Sequence, residues 1–143
     1  MRVCRAPLSG VTVTLGVVTN GARGDWPAGL PPPSAAGWGE PAVAWLLDVV
    51  PGEHRAYEVL RRHPLALSRF ARAQVEAELA AGRSGAATAR RDLGDVLPAQ
   101  AVEDVLGVYE REQVRLSALL RCVQAIDDAF RRAASAGPGR TAR

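Results

Sequence analysis

The side chains that could do chemistry are few, and their spacing limits them further. Gly82-Arg83-Ser84-Gly85-Ala86 approaches the Gly-x-Ser-x-Gly turn that presents a nucleophilic serine, but its last position is alanine. The imidazoles that a serine triad would need, His54 and His63, both lie upstream with no motif around them. Ser84 therefore reads as a loop or helix-surface residue. His54 and Glu58 stand four apart, a spacing that places both on one face of a helix. One imidazole with one carboxylate makes an ordinary surface pair, and neither the Glu-x-x-His repeat of di-iron bundles nor His-Glu-x-x-His is present. Cys4 and Cys122 are far apart and lack Cys-x-x-Cys spacing, which indicates neither a zinc site nor a disulfide framework. Cys122 falls within a helical pattern and reads as a small buried hydrophobe.

All 18 basic residues are arginine. Without lysine there is no Walker lysine, no Schiff-base nucleophile and no pyridoxal attachment site. These observations predict no metal, no cofactor and no catalytic residue with a recognisable motif. An enzyme built on this chain would have to use arginine, glutamate and Tyr109 outside any such motif. Arg69, Arg72, Arg83, Arg90 and Arg91 project onto about a third of the circumference of one helix at roughly 100° per residue, with Glu76 the only acid among them. Such a stripe suits phosphates or an acidic partner. The plainer reading is a solvated flank whose arginines pair with Glu110, Glu112 or other acids across a hairpin. Net charge is +3, and 13 of the 15 acids share residues 41–143 with 15 arginines, a balance that creates no strong field. Aromatic residues are 5% of the chain, too few for a base-stacking platform.

The elements that must position these residues are helical. Hydrophobic content is 48%, ample for a core, which must be aliphatic and alanine-rich. No run approaches the 18 or so consecutive apolar residues of a membrane span, so a cytoplasmic protein with no membrane partner is expected. Residues 1–40 stand apart, with seven glycines and Pro31-Pro32-Pro33. One strand-like stretch, Val11–Val18, has nothing to pair with, and the rest has linker composition. Arg2 and Arg5 precede a weakly apolar stretch, but no small-x-small cleavage site follows, which argues against a secretory signal. Residues 1–40 are thus expected to be flexible; a second reading starts the native protein downstream, near Glu40.

Pro41 opens a short helix with Val43, Leu46, Leu47 and Val50 on one face, closed by Pro51-Gly52. A second short helix, Glu53–Arg62, presents Tyr57 and Leu60, helped by Ala56 and Val59, until His63-Pro64 breaks it. From Pro64 a heptad seam runs through Val75, Leu79, Gly82, Ala86, Ala89, Leu93 and Val96. Gly82 and Gly85 each cost about 1 kcal/mol of helix propensity, yet the unbroken phase argues for one helix. Beyond the Leu97-Pro98 turn, Val102, Tyr109, Leu116, Val123 and Phe130 recur every seven residues. Val105, Leu119, Ile126 and Ala133 fill the positions three further on, with Glu112 the one interruption. Glu112 reads as a carboxylate that snorkels toward Arg83 or Arg90, with a register-fixing role as the alternative.

Folding the seams together opposes Val96 to Val102, Leu93 to Val105, Ala89 to Tyr109, Ala86 to Glu112, Gly82 to Leu116, Leu79 to Leu119 and Val75 to Val123. The expected fold is all-α: a long antiparallel hairpin covered by one or two short N-terminal helices. That makes a three- to four-helix bundle over residues 41–134, with a disordered tail at 135–143. Leu67 and Phe70 point off the seam and need that third element, or a second chain, to cover them. The function expected is non-enzymatic: a helical interaction or regulatory module that meets a protein partner, or itself, through helix faces. The alternative is a nucleic-acid-associated accessory protein using the arginine stripe on helix 64–96.

Overall fold

The computed structural model describes residues 24–137, and among them the only regular elements are helices. Four α-helices follow in order: α1 Gly39–Val49, α2 Glu58–Arg62, α3 Pro64–Leu93 and α4 Ala99–Ser135, with a 3-10 segment Gly52–Ala56 between the first two. The antiparallel hairpin of α3 and α4 is the frame of the molecule. At about 1.5 Å per residue these helices extend roughly 45 Å and 55 Å. Pro64 starts α3 at a position whose N–H has no partner in any case, and His63 before it is extended at φ −124°. The helix then runs unbroken through Gly82 and Gly85 to Leu93. Pro98 stands at the N-cap of α4 in extended geometry, one residue before the helix begins.

The core sits at one end of the hairpin, its base. Ala42, Leu46 and Val50 from α1 and Leu60 from α2 bury against Leu67 and Ala71 of α3 and Val123 and Ile126 of α4. The third element expected over Leu67 is therefore α1, and Leu67 is fully buried. Phe70 is not covered in the same way. It stays half exposed, with its ring edge on His54 at 5.7 Å between centroids. A smaller cluster, Val75, Leu79 and Leu116, continues the core up the hairpin with Val49, Leu119 and Leu120 against it. The remaining buried hydrophobes, Ala89, Val102, Leu106 and Ala129, lie in neither cluster and belong to the two long helices alone. From Leu79 to Leu93 the hairpin thus projects about 20 Å beyond the second cluster, at 1.5 Å per residue.

Three expectations need correcting. Residues 24–40 do not form a flexible lead-in. Trp26, Leu30 and Trp38 pack on the base core, Trp38 stacks on Phe130 at 4.6 Å between centroids, and the Trp26 indole N–H donates to the Pro31 carbonyl. Large apolar rings outweigh the glycine content here, and Gly29 and Gly37 adopt the positive φ (86° and 72°) that the intervening turns require. The strand-like stretch Val11–Val18 and the tail beyond Gly137 lie outside the described residues. Next, Glu53–Arg62 is not one helix. Tyr57 is extended at φ −81°, ψ 102° and separates the 3-10 segment from α2, leaving Tyr57 and Val59 exposed and only Leu60 buried.

The third correction concerns register. Gly82 faces Gln113, three residues before the expected Leu116, and Gly85 rather than Ala89 receives Tyr109. The turn is placed accordingly: α3 stops at Leu93 and Gly94–Pro98 forms the connection, so its centre lies earlier than a tight turn at Leu97-Pro98 would put it. Leu79 and Leu119 nevertheless share one cluster, with Leu116 as its buried α4 member.

Candidate functional site

Cys4 lies outside the described residues; each of the other residues singled out for chemistry has a definite place. Ser84 is exposed on α3, as expected for a surface residue. His54 and Glu58 do not share a helix face, because extended Tyr57 lies between their segments and Glu58 pairs with Arg62 at 2.6 Å. The His54 ring packs instead between Tyr57, at 6.0 Å, and Phe70. Its Nδ1 is buried without a hydrogen-bond partner. Cys122 is half-buried, and that burial pushes its thiol above the ordinary cysteine value. Among the described residues no group of three or more His, Cys, Asp or Glu is arranged to hold a metal ion. Two shallow grooves lie at the base beside Pro33 and Ser34, the larger about 460 Å³ and lined by Asp25, Trp26, Asp128 and Arg132 among others. Neither reaches Tyr109 or Glu112.

The arginine stripe is present on α3, and three of its five members are engaged. Arg72 pairs with Glu76 at 2.7 Å, Arg90 makes a two-pronged contact with Glu103 of α4, and Arg91 pairs with Asp92 at 2.9 Å. Arg69 and Arg83 are exposed, with no ion pair among the described residues. Glu112 reaches Arg115 on its own helix rather than Arg83 or Arg90 across the hairpin. These are exposed pairs, each worth a fraction of a kcal/mol up to about 1 kcal/mol.

The opposite flank of α4 carries the apolar feature that sequence reasoning missed. Ile126 and Phe130 lie there under α1 and Trp38, and Ile126 is fully buried. Val108 precedes Ile126 by eighteen residues, five whole turns at about 100° per residue, so both stand on one line along the helix. Yet Val108 is 51% exposed. Val105, one turn from it, is partly exposed, and Val96 and Leu97 are exposed at the turn that ends the hairpin. Between Val108 and Ile126, Glu112 and Arg115, paired at 2.9 Å, fall within about 40° of that line, so the face that α1 covers at the base is interrupted by charge and turns apolar again on the arm at Val105 and Val108. The heptad count gave the signal for Val105; Val108 stands outside that seam, and only the length of α1 exposes the pair.

One buried polar group was also missed. Asp127 is 6% exposed and accepts hydrogen bonds from the Ser68 hydroxyl across the hairpin and from the Arg131 guanidinium one turn on. Burial by itself would raise its carboxyl, but Ser68, Arg131 and the more distant Arg72 together hold it below the ordinary aspartate value. Besides the heptad residues, the seam that α4 presents to α3 uses positions four beyond them: Leu106, Gln113, Leu120 and Asp127. Two of those four are polar, which hides the seam from a hydrophobicity count. Gln113 spends its amide on the Leu79 carbonyl, over the space that Gly82 leaves.

Comparison with family models, with curated proteins and with solved structures finds no match to this chain. No described helix is long and apolar enough to cross a membrane.

Proposed function

We propose that this protein is a non-enzymatic helical interaction module, located in the cytoplasm, whose projecting hairpin arm receives a helix from a protein partner or from a second copy. The observation that supports this reading is the uncovered apolar patch of Val105 and Val108 on the α4 arm, on the same side of the helix as the Ile126 that α1 covers at the base. A helix laid where α1 stops would extend the three-helix packing of the base along the arm, using anchors at helical spacing in the manner of helix-in-groove recognition. The arginine stripe supports the competing reading less well, because Glu76, Glu103 and Asp92 already neutralise Arg72, Arg90 and Arg91.

The test compares the wild type with Val108→Glu. Size-exclusion chromatography with light scattering should give a mass above the 15.1 kDa of one chain, or a stoichiometric co-eluting protein from the native host. Val108→Glu should abolish either while circular dichroism stays unchanged. A monomeric wild type whose co-purifying proteins are the same in the variant sinks the proposal. Salt-dependent binding to duplex or single-stranded DNA, weakened by Arg83→Glu, would move the function to the stripe.

A further inference from the structure

The sequence admits two ways of meshing α3 with α4, and apolar contacts do little to separate them. In the observed register Ser68 meets Asp127, Leu79 clusters with Leu116, Gly82 faces Gln113 and Gly85 receives Tyr109. Sliding one helix by three residues opposes Leu79 to Leu119, Val75 to Val123, Gly82 to Leu116 and Ala89 to Tyr109. Leucine still meets leucine, small residues still meet large ones, and Gln113 again finds a glycine, Gly85. The buried carboxylate behaves differently. After the slide Asp127 would face Ala71, which offers no donor. Arg131, its other partner, sits on the same helix and travels with it, so that contact is indifferent to register.

We infer that the hydrogen bond between Ser68 and Asp127, rather than the apolar seam, selects the register of the hairpin. Both groups lie among the fully buried Leu67, Ala71, Val123 and Ile126, where water cannot stand in for a missing partner. A single polar contact inside a helical seam is a known means of fixing register at some cost in stability. The fit of Tyr109 onto Gly85 adds a second preference, since a Cβ there would meet the ring at 2.8 Å and Ala89 carries one. Register also decides which stretch of α4 lies under α1. The exposure of Val105 and Val108 on the arm is thereby tied to a contact near the base.

The experiment is a distance measurement on the full chain in a C4S/C122A background. Spin labels on R69C, near the start of α3, and D104C, near the start of α4, report sliding directly, because the two sites are far apart along the hairpin axis. With Ser68 and Asp127 intact, pulsed dipolar spectroscopy should give one distance. S68A/D127L should keep its helical circular dichroism and add a second population longer by about 4.5 Å, the rise of three helical residues. D127N, which retains a hydrogen-bonding partner for Ser68, should restore the single distance. An unshifted single distance in S68A/D127L overturns the inference, as does a shifted population in D127N. Loss of helicity in S68A/D127L also overturns it, because the apolar seam would then hold neither register.

Discussion

Two glycines of α3 make a paired prediction that tests the hairpin packing at atomic scale. A Cβ on Gly85 would lie 2.5 Å from the Tyr109 hydroxyl and 2.8 Å from two of its ring carbons. A Cβ on Gly82 would lie 2.6 Å from the Gln113 amide nitrogen and no nearer than 3.8 Å to the next atom. Gly→Ala in a helix interior otherwise stabilises by about 1 kcal/mol. For Gly82→Ala the obstacle is the end of a flexible side chain, which swings aside and gives up its bond to the Leu79 carbonyl, a loss of about 0.5–1.5 kcal/mol. The two effects nearly cancel. For Gly85→Ala the whole Tyr109 ring must move off the seam, an overpacking cost of about 1–3 kcal/mol. The net is a destabilisation of about 1 kcal/mol, or roughly 4 °C in Tm for a domain of this size. Thermal and urea unfolding followed by circular dichroism would measure both variants. Tyr109→Leu should remove the penalty and return Gly85→Ala to a stabilising change. If Gly85→Ala alone stabilises by about 1 kcal/mol, as an open helical glycine would, then Tyr109 does not pack on Gly85 and the register is wrong.

Two further outcomes follow from the base of the molecule. Because the folded-state carboxyl of Asp127 is held below its ordinary value, its contribution to stability is fully present above about pH 4 and is lost as pH falls through the depressed value. Urea unfolding between pH 5 and pH 2 should therefore show an acid loss that Asp127→Asn lacks; equal slopes would mean the carboxylate is not held in this way. Trp38→Ala removes the ring that bridges Trp26 and Phe130 and should cost about 2 kcal/mol, less than a fully buried aromatic because Trp38 is partly exposed. An unchanged urea midpoint would return residues 24–38 to the status of a loose lead-in.

Much of the architecture was legible from residue spacing because helices repeat their geometry. Val102, Tyr109, Leu116, Val123 and Phe130 mark one α4 line every seven residues, and Pro64 and Gly137-Pro138 bracket the hairpin. Those local signals determined that the described residues are all-α, that their two longest helices pair antiparallel, and that Leu67 needs a third element above it. Continuity through Gly82 and Gly85 was legible for the same reason, since the apolar phase carries across them.

Other features were decided only in three dimensions. The register depended on where the turn centre fell and on Asp127, whose polarity argues against a seam position until Ser68 supplies its donor from the other helix. Trp26 and Trp38 sit in a glycine- and proline-rich stretch that reads as linker; Trp38 stacks on Phe130, more than ninety residues away in the chain, and Trp26 packs edge-on against Trp38. Val108 stands exposed because α1 ends at Val49, short of the arm. Periodicity tells which residues share a helix face. It cannot tell how far another element reaches along that face, because that depends on contacts between residues distant in sequence.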